Sequence, residues 1–174
     1  ARMERPLILK AEPDSRPVSE DLRRMLMELA ALTDKLTVEW TPPSDGPERP
    51  CVRVLRADGT DTGIAFHGVP GGHEFNSFVV GLYNAAGPGQ SIDPALAEAI
   101  AAIDRPLDLQ IVVALSCTMC PELVIAAQKI AASNPLVTAK VYDVNHFPEL
   151  RERYKIMSVP CLIINKAKVA FGKK

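Results

Sequence analysis

The chain has 174 residues, 47% of them hydrophobic, and a formal net charge of −1. That length holds one large domain or two small ones with enough apolar residues for a core. Near-neutrality and the lack of a basic run with interleaved aromatics argue against nucleic acid or an anionic membrane as partner, and the apolar stretch 78–86 falls short of the ~18 residues of a membrane span.

The six residues Ala1 to Pro6 carry no apolar core of a secretion signal, and Ala1-Arg2 ahead of Met3 reads as an expression remnant. Four cysteines are too few for a disulfide-stapled secreted scaffold. A reducing, cytoplasmic setting is therefore expected. Pro6 to Ala11 reads as a short strand. Val18 to Asp34 reads as a helix, with Leu22, Met25, Leu26, Leu29 and Leu32 at helical spacing and Ser19 as its cap. Leu36 to Trp40 alternates as a strand, and Thr41 to Pro47 is a loop by composition. Cys51 to Leu55 and Gly63 to Phe66 read as strands joined by the hairpin signal Ala57-Asp58-Gly59-Thr60. A helix follows over His73 to Ala86, broken by Gly87-Pro88-Gly89.

Pro94 to Ile103 reads as the next helix, with Asp93 capping it and Pro94 at its first position. Leu107 to Leu115 is a continuous apolar run, expected to be a strand buried on both faces. Ser116-Cys117-Thr118-Met119-Cys120-Pro121 comes next, then a helix to about Ser133. Val137 to Val144 reads as a strand, Phe147 to Tyr154 as a helix, and Cys161 to Asn165 with Lys168 to Phe171 as a closing hairpin.

The two halves read as one pattern written twice. Arg49-Pro50-Cys51-Val52 matches Val159-Pro160-Cys161-Leu162, and Gly63-Ile64-Ala65-Phe66 matches Lys168-Val169-Ala170-Phe171. Pro17 matches Pro121, which sets Pro13 and Arg16 where Cys117 and Cys120 stand. The first copy, 1–88, therefore lacks the thiol pair, and also a helix between Trp40 and Pro50. The second, 89–174, stops where the first continues into the His73 helix, so a final helix is expected beyond Lys174 in a parent protein.

A strand that ends in Cys-x-x-Cys and opens a helix sets a sulfur against free N–H groups and the positive end of a dipole. Cys117 is expected to be the acidified, attacking thiol and Cys120, one turn on and less exposed, the resolving one. A zinc site would need two more ligands, yet Cys51, Cys161 and the three histidines are scattered. A structural staple across three residues closes too small a loop to stabilise much. Cys51 and Cys161 read as small core residues. His67, His73 and His146 read as surface or capping residues, and Met25, Met27 and Met119 as packing. Dithiol exchange also needs a proton acceptor. Glu74 is a candidate; its plainer reading is a first-turn acid stabilised by the helix dipole.

The segments Gly68-Val69-Pro70-Gly71-Gly72-His73-Glu74-Phe75-Asn76-Ser77-Phe78, Leu115-Ser116-Cys117-Thr118-Met119-Cys120-Pro121 and Ser158-Val159-Pro160 resemble the N-terminal domain of the flavoprotein subunit of bacterial alkyl hydroperoxide reductases. The resemblance covers about Pro6 to Gly172. It implies an α/β fold made of two fused thioredoxin-like folds sharing one extended mixed sheet, the first degenerate. It implies that Pro160 is cis and packs beside the dithiol, and that Glu74 lies near it. Thioredoxins carry an Asp six residues before the first cysteine, where this chain has Ile111. The function implied is a thiol-disulfide relay. Electrons would pass from a flavin-bearing, thioredoxin-reductase-like region to a peroxiredoxin disulfide. FAD and NAD(P)H are expected on that companion region and not here, since no Gly-x-Gly-x-x-Gly follows a strand. Thr118 and Met119 replace polar residues common in the family. Two readings remain beside the relay: a general thioredoxin- or glutaredoxin-like reductase, and a non-catalytic interaction module.

Overall fold

The structure, a computed structural model, describes residues 3–171. Ala1-Arg2 and any helix beyond Lys174 lie outside the described residues. The elements run β1 (Leu7–Glu12), α1 (Val18–Ala30), β2 (Leu36–Trp40), β3 (Cys51–Arg56), β4 (Asp61–His67), α2 (Glu74–Ala86) and α3 (Pro94–Ala101). They continue with β5 (Leu107–Val113), α4 (Cys120–Ser133), β6 (Val137–Asp143), α5 (Pro148–Arg153), β7 (Cys161–Ile164) and β8 (Lys168–Phe171). All eight strands form one mixed sheet in the order β2-β1-β3-β4-β6-β5-β7-β8. The first four strands repeat the pattern of the last four: a parallel pair, then an antiparallel partner, then a hairpin. This is the expected pair of thioredoxin-like folds in a shared sheet. They join where β4 pairs in parallel with β6, Ile64 opposite Ala139 and His67 opposite Tyr142.

Side chains alternate across a strand, and the sheet therefore builds two cores. On one face Leu9, Val52, Val54, Ile64, Phe66, Ile111, Val113 and Val141 meet α1, α2 and α4 through Leu22, Leu26, Phe78, Leu82, Val124 and Ala127. On the other, Val112, Tyr142, Cys161 and Ile163 meet Phe147 and Leu150 at α5. Each fully buried Leu, Val or Phe contributes about 1.5–3 kcal/mol, so both halves are held to the sheet by apolar burial.

Several local expectations are corrected. Helix α1 ends at Ala30, and Leu32, expected on its apolar stripe, is 79% exposed. Ser19 does not cap α1. It lies inside the helix, buried, where its hydroxyl donates to Asp14 Oδ1 at 2.6 Å and accepts from the Asp14 N–H at 2.8 Å. Asp93 holds the cap position of α3 without a side-chain bond, and that helix stops at Ala101.

Candidate active site

Strand β5 is central, and its last five residues are buried. It ends at Val113, and the chain turns once: the Cys117 N–H donates to Ala114 O at 3.0 Å. Helix α4 opens at Cys120, so Cys117 precedes it instead of occupying its first turn. The helix end still reaches the sulfur, because the Cys120 N–H donates to Cys117 Sγ at 3.1 Å. Cys117 and Cys120 are joined as a disulfide, with Cα atoms 5.6 Å apart. Cys120 is fully buried and Cys117 only half-buried, so the leading sulfur is the one a partner can reach.

The Val159–Pro160 bond is cis, as the resemblance implied, and so are Arg49–Pro50 and Gly87–Pro88. Antiparallel pairing of Val112 with Cys161 brings buried Pro160 to the end of β5, beside the turn that carries Cys117.

Glu74 arrives from the first half. The loop ahead of α2 is pinned to the dithiol turn, because the His73 N–H donates to Leu115 O at 2.9 Å. Gly72 makes this possible. It adopts φ +54°, and a Cβ there would stand 2.8 Å from Leu115 O. Glu74 is fully buried. Burial pushes its carboxyl above the ordinary glutamate value, against a lowering hydrogen bond from Ser77. Its Oε2 has no hydrogen-bond partner among the described residues. A dipole-stabilised surface acid would look different, being solvated and kept charged. Ile111 is fully buried, so no acid stands at that strand position.

The sequence reading missed how α2 and α4 interlock. Gln128 Nε2 donates to Ser77 O at 2.8 Å, and its amide occupies the space a Cβ on Gly81 would fill, at 2.7 Å. A glycine inside an apolar helix was the available signal of close approach.

The other candidates lie elsewhere. Cys51 and Cys161 are buried free thiols, pushed by burial to about 12 and about 11 respectively. Both stay protonated and inert at neutral pH. Met119, expected in packing, is 56% exposed between the two cysteines. His73 is exposed and His146 half-buried. His67, expected as a surface or capping residue, is fully buried inside β4. It stacks on Tyr142 with ring centroids 4.2 Å apart and sits edge-on to Phe147. Its Nδ1–H donates to Glu48 O at 2.6 Å, while Nε2 is unpartnered among the described residues.

The position matching Cys120 in the first half is Arg16. Its guanidinium donates to Asp14 Oδ2 at 2.6 Å, to Arg49 O at 2.7 Å and to His146 O at 2.9 Å. A cleft of about 460 Å³ opens there, lined by Asp14, Arg16, Arg49, His146 and Phe147 among others, away from the dithiol. The disulfide thus lies in the second half, and the first half contributes the buried carboxyl of Glu74 on the helix packed against α4.

Comparison with known proteins bears on this arrangement. A thioredoxin-domain family model matches residues 107–174. The chain is 32% identical over 164 residues to the AhpF component of alkyl hydroperoxide reductase from Pseudomonas aeruginosa, covering 94% of this chain and 31% of that protein. It is 31% identical over 175 residues to a protein of Ferdinandcohnia aciditolerans named NADH dehydrogenase, covering 98% of this chain and 32% of the other. The chain thus spans about a third of the length of the curated relatives it matches. Among solved structures, the N-terminal N/C domain of alkyl hydroperoxide reductase AhpF from Enterococcus faecalis superposes with a TM-score of 0.92 at 36% identity, covering 99% of this chain and 87% of that one. With the same doubled fold over nearly its whole length and a dithiol at the end of β5, the chain belongs to the family of AhpF N-terminal domains, a thioredoxin-like disulfide oxidoreductase family.

Proposed function

We propose that the chain is the dithiol relay of a hydroperoxide-reducing system, carrying two electrons from a flavoprotein reductase region to the disulfide of a peroxiredoxin. The observation that carries this reading is the disulfide itself, with an outer sulfur hydrogen-bonded by a helix N-terminus and an inner sulfur sealed from solvent. In the reduced chain, Cys117 thiolate attacks one sulfur of the partner disulfide. A mixed disulfide forms and the partner's other sulfur leaves as a thiolate. The Cys120 thiol gives up its proton and attacks Cys117 Sγ. The second partner sulfur then leaves, and the Cys117–Cys120 disulfide is restored. The partner gains two electrons, and its two leaving thiolates are protonated.

The Cys120 N–H stabilises the Cys117 thiolate both as nucleophile and as leaving group. Glu74, buried yet ionisable, takes the Cys120 proton, and Pro160 closes the side of the site opposite Glu74's loop. Reduction of the chain runs the same exchange in reverse against a dithiol of the reductase region. FAD and NAD(P)H belong to that region, which the relatives' extra length would accommodate within one parent chain in the cytoplasm. The 1–88 half acts as brace and acid donor, and the 89–174 half carries the dithiol.

A Cys120→Ser variant tests the assignment. Incubated with an oxidised peroxiredoxin, it should accumulate a mixed disulfide that mass spectrometry places on Cys117. Attachment at Cys51 or Cys161, or none, would overturn the roles. Reduction of insulin by a generic thioredoxin reductase through this chain would instead favour a general protein disulfide reductase.

A further inference from the structure

Ser77 is fully buried one turn beyond Glu74 on α2. Its hydroxyl oxygen stands 2.9 Å from the Glu74 backbone carbonyl and 2.5 Å from Glu74 Oε1. A hydroxyl has one proton to donate, so it cannot serve both acceptors at once. Which one it serves depends on the carboxyl. A charged Glu74 offers two acceptors and no donor, and Ser77 must then donate to Oε1. A neutral Glu74 protonated at Oε1 donates to Ser77 Oγ, and the Ser77 proton is free to turn to the carbonyl three residues back, a bond helical serines commonly make. Both charge states are therefore satisfied at Oε1 by a rotation of one hydroxyl, while Oε2 has no partner among the described residues.

We propose that Ser77 is a positioning residue for Glu74, whose hydroxyl follows the protonation of the carboxyl and so keeps Oε1 hydrogen-bonded whether the buried acid is neutral or charged. This rests on the relay reading above, in which Glu74 moves the Cys120 proton. Among the described residues no ion pair competes for the carboxyl. The elements packed against α2 carry Cys120, Glu122 and Lys129 on α4, Lys10 and Glu12 on β1, and Cys51, Arg53 and Arg56 on β3. Arg53 pairs with Glu12 at 2.8 Å on the sheet face away from α2, and burial and Ser77 alone set the direction at Glu74. Gln128 bonds Ser77 O from α4 without engaging the serine hydroxyl.

The experiment is a pH titration of the oxidised chain with 13C-labelled glutamate, following the side-chain carboxyl and the backbone carbonyl of Glu74. In the wild type both resonances should move with one shared midpoint, because the hydroxyl leaves the carbonyl as the carboxyl ionises. In Ser77→Ala the carboxyl midpoint should rise by about one pH unit, the loss of one hydrogen bond to a charged group, and the backbone signal should cease to follow it. Ser77→Thr should restore both. Gln128→Ala, a structural perturbation that spares the hydroxyl, should leave the midpoint in place. A backbone carbonyl that does not titrate in the wild type overturns the proposal without reference to any variant. So does a midpoint that stays or falls in Ser77→Ala, or one that Gln128→Ala raises equally. If the device operates but Glu74→Gln leaves the rate of dithiol exchange unchanged, the relay role of Glu74 fails while the hydroxyl switch stands.

Discussion

Replacing Arg16 by alanine asks whether the thiol-free half serves as a clasp. Arg16 precedes Pro17 as Cys120 precedes Pro121, but in place of a sulfur it has a guanidinium that reaches both halves of the molecule. It bonds Asp14 and Arg49 O in the first half and His146 O in the second, and lies 5.8 Å over the Phe147 ring. The alanine variant loses two bonds to backbone carbonyls, about 1 kcal/mol each, and one ion pair. Asp14 is 4% exposed, which makes the pair costly to break, but Arg16 is 42% exposed, and solvent screening brings that part down to about 1 kcal/mol. Asp14 keeps bonds from the Ser19 hydroxyl and the residue-16 N–H. The total loss should be roughly 3 kcal/mol by urea denaturation at neutral pH. The pH dependence follows from Asp14. Burial alone would raise its carboxyl, but bonds from Ser19 and Arg16, with the charge of Arg16, hold it below the ordinary 3.8. A lowered folded value means the unfolded chain binds more protons in that range, so the contribution is complete above 3.8 and lost as pH falls through the folded value. The gap between wild type and variant should be level through neutral pH and narrow in acid by the ion pair's share, about 1 kcal/mol, leaving the part held by the two carbonyl bonds. A loss under about 1 kcal/mol, or a gap that widens on acidification, would refute the clasp.

Glu74→Gln removes the buried ionisable group and should slow dithiol exchange roughly a hundredfold while stabilising the fold at neutral pH. The sign follows from the raised folded value: the native chain holds the proton longer, so wild-type stability declines as pH rises above 4.5 and then levels, a decline the variant should lack in denaturation curves. His67 works the other way, since burial lowers it to about 4 from 6.5. Wild-type stability should be complete above 6.5 and fall by on the order of 3 kcal/mol on acidification toward pH 4, and His67→Phe should flatten that limb; an unchanged limb would place the titrating group elsewhere. Gly72→Ala adds a Cβ 2.8 Å from Leu115 O at φ +54°. It should cost roughly 1–3 kcal/mol in denaturation and displace Glu74's loop, lowering the exchange rate of folded protein; a variant as stable and as fast as wild type would remove Gly72 from the argument.

What the sequence disclosed and what it hid divide by range. The dithiol turn, strand β5 and the closing hairpin are written in contiguous residues: an apolar run, then Cys-x-x-Cys, then Pro160 before alternating apolar positions. The repeat was legible because matching motifs recur at Pro50 and Pro160. Burial set by distant partners was not legible. His67 looked like a surface or capping histidine because the ring that covers it, Tyr142, lies 75 residues later on β6 and meets it only through the β4–β6 pairing. Ser19 looked like a cap because capping is judged from neighbours in sequence, whereas its hydroxyl is engaged by Asp14 five residues before it. Glu74, taken alone, read better as a first-turn acid stabilised by the helix dipole, because its full burial is set by packing that neighbours in sequence do not reveal.

The same division explains how a half without thiols can matter to the chemistry. In a lone second half, β6 would be an edge strand with open backbone groups, a known liability; here β4 occupies that edge from Ile64 to His67. Once β4 is paired there, its continuation through Gly68 to Gly72 must run along the same end of the sheet at which β5 stops, because parallel strands end together. The loop therefore arrives at Leu115, and the next residue able to start a helix sets Glu74 against the dithiol helix. At the matching turn of the first half, Arg16 stands in place of a thiol and ties that half to the second through its bonds to Asp14, Arg49 O and His146 O. Glu74 is tied to the end of β5 in two ways, by the β4–β6 pairing that precedes its loop and by the bond from the His73 N–H to Leu115 O.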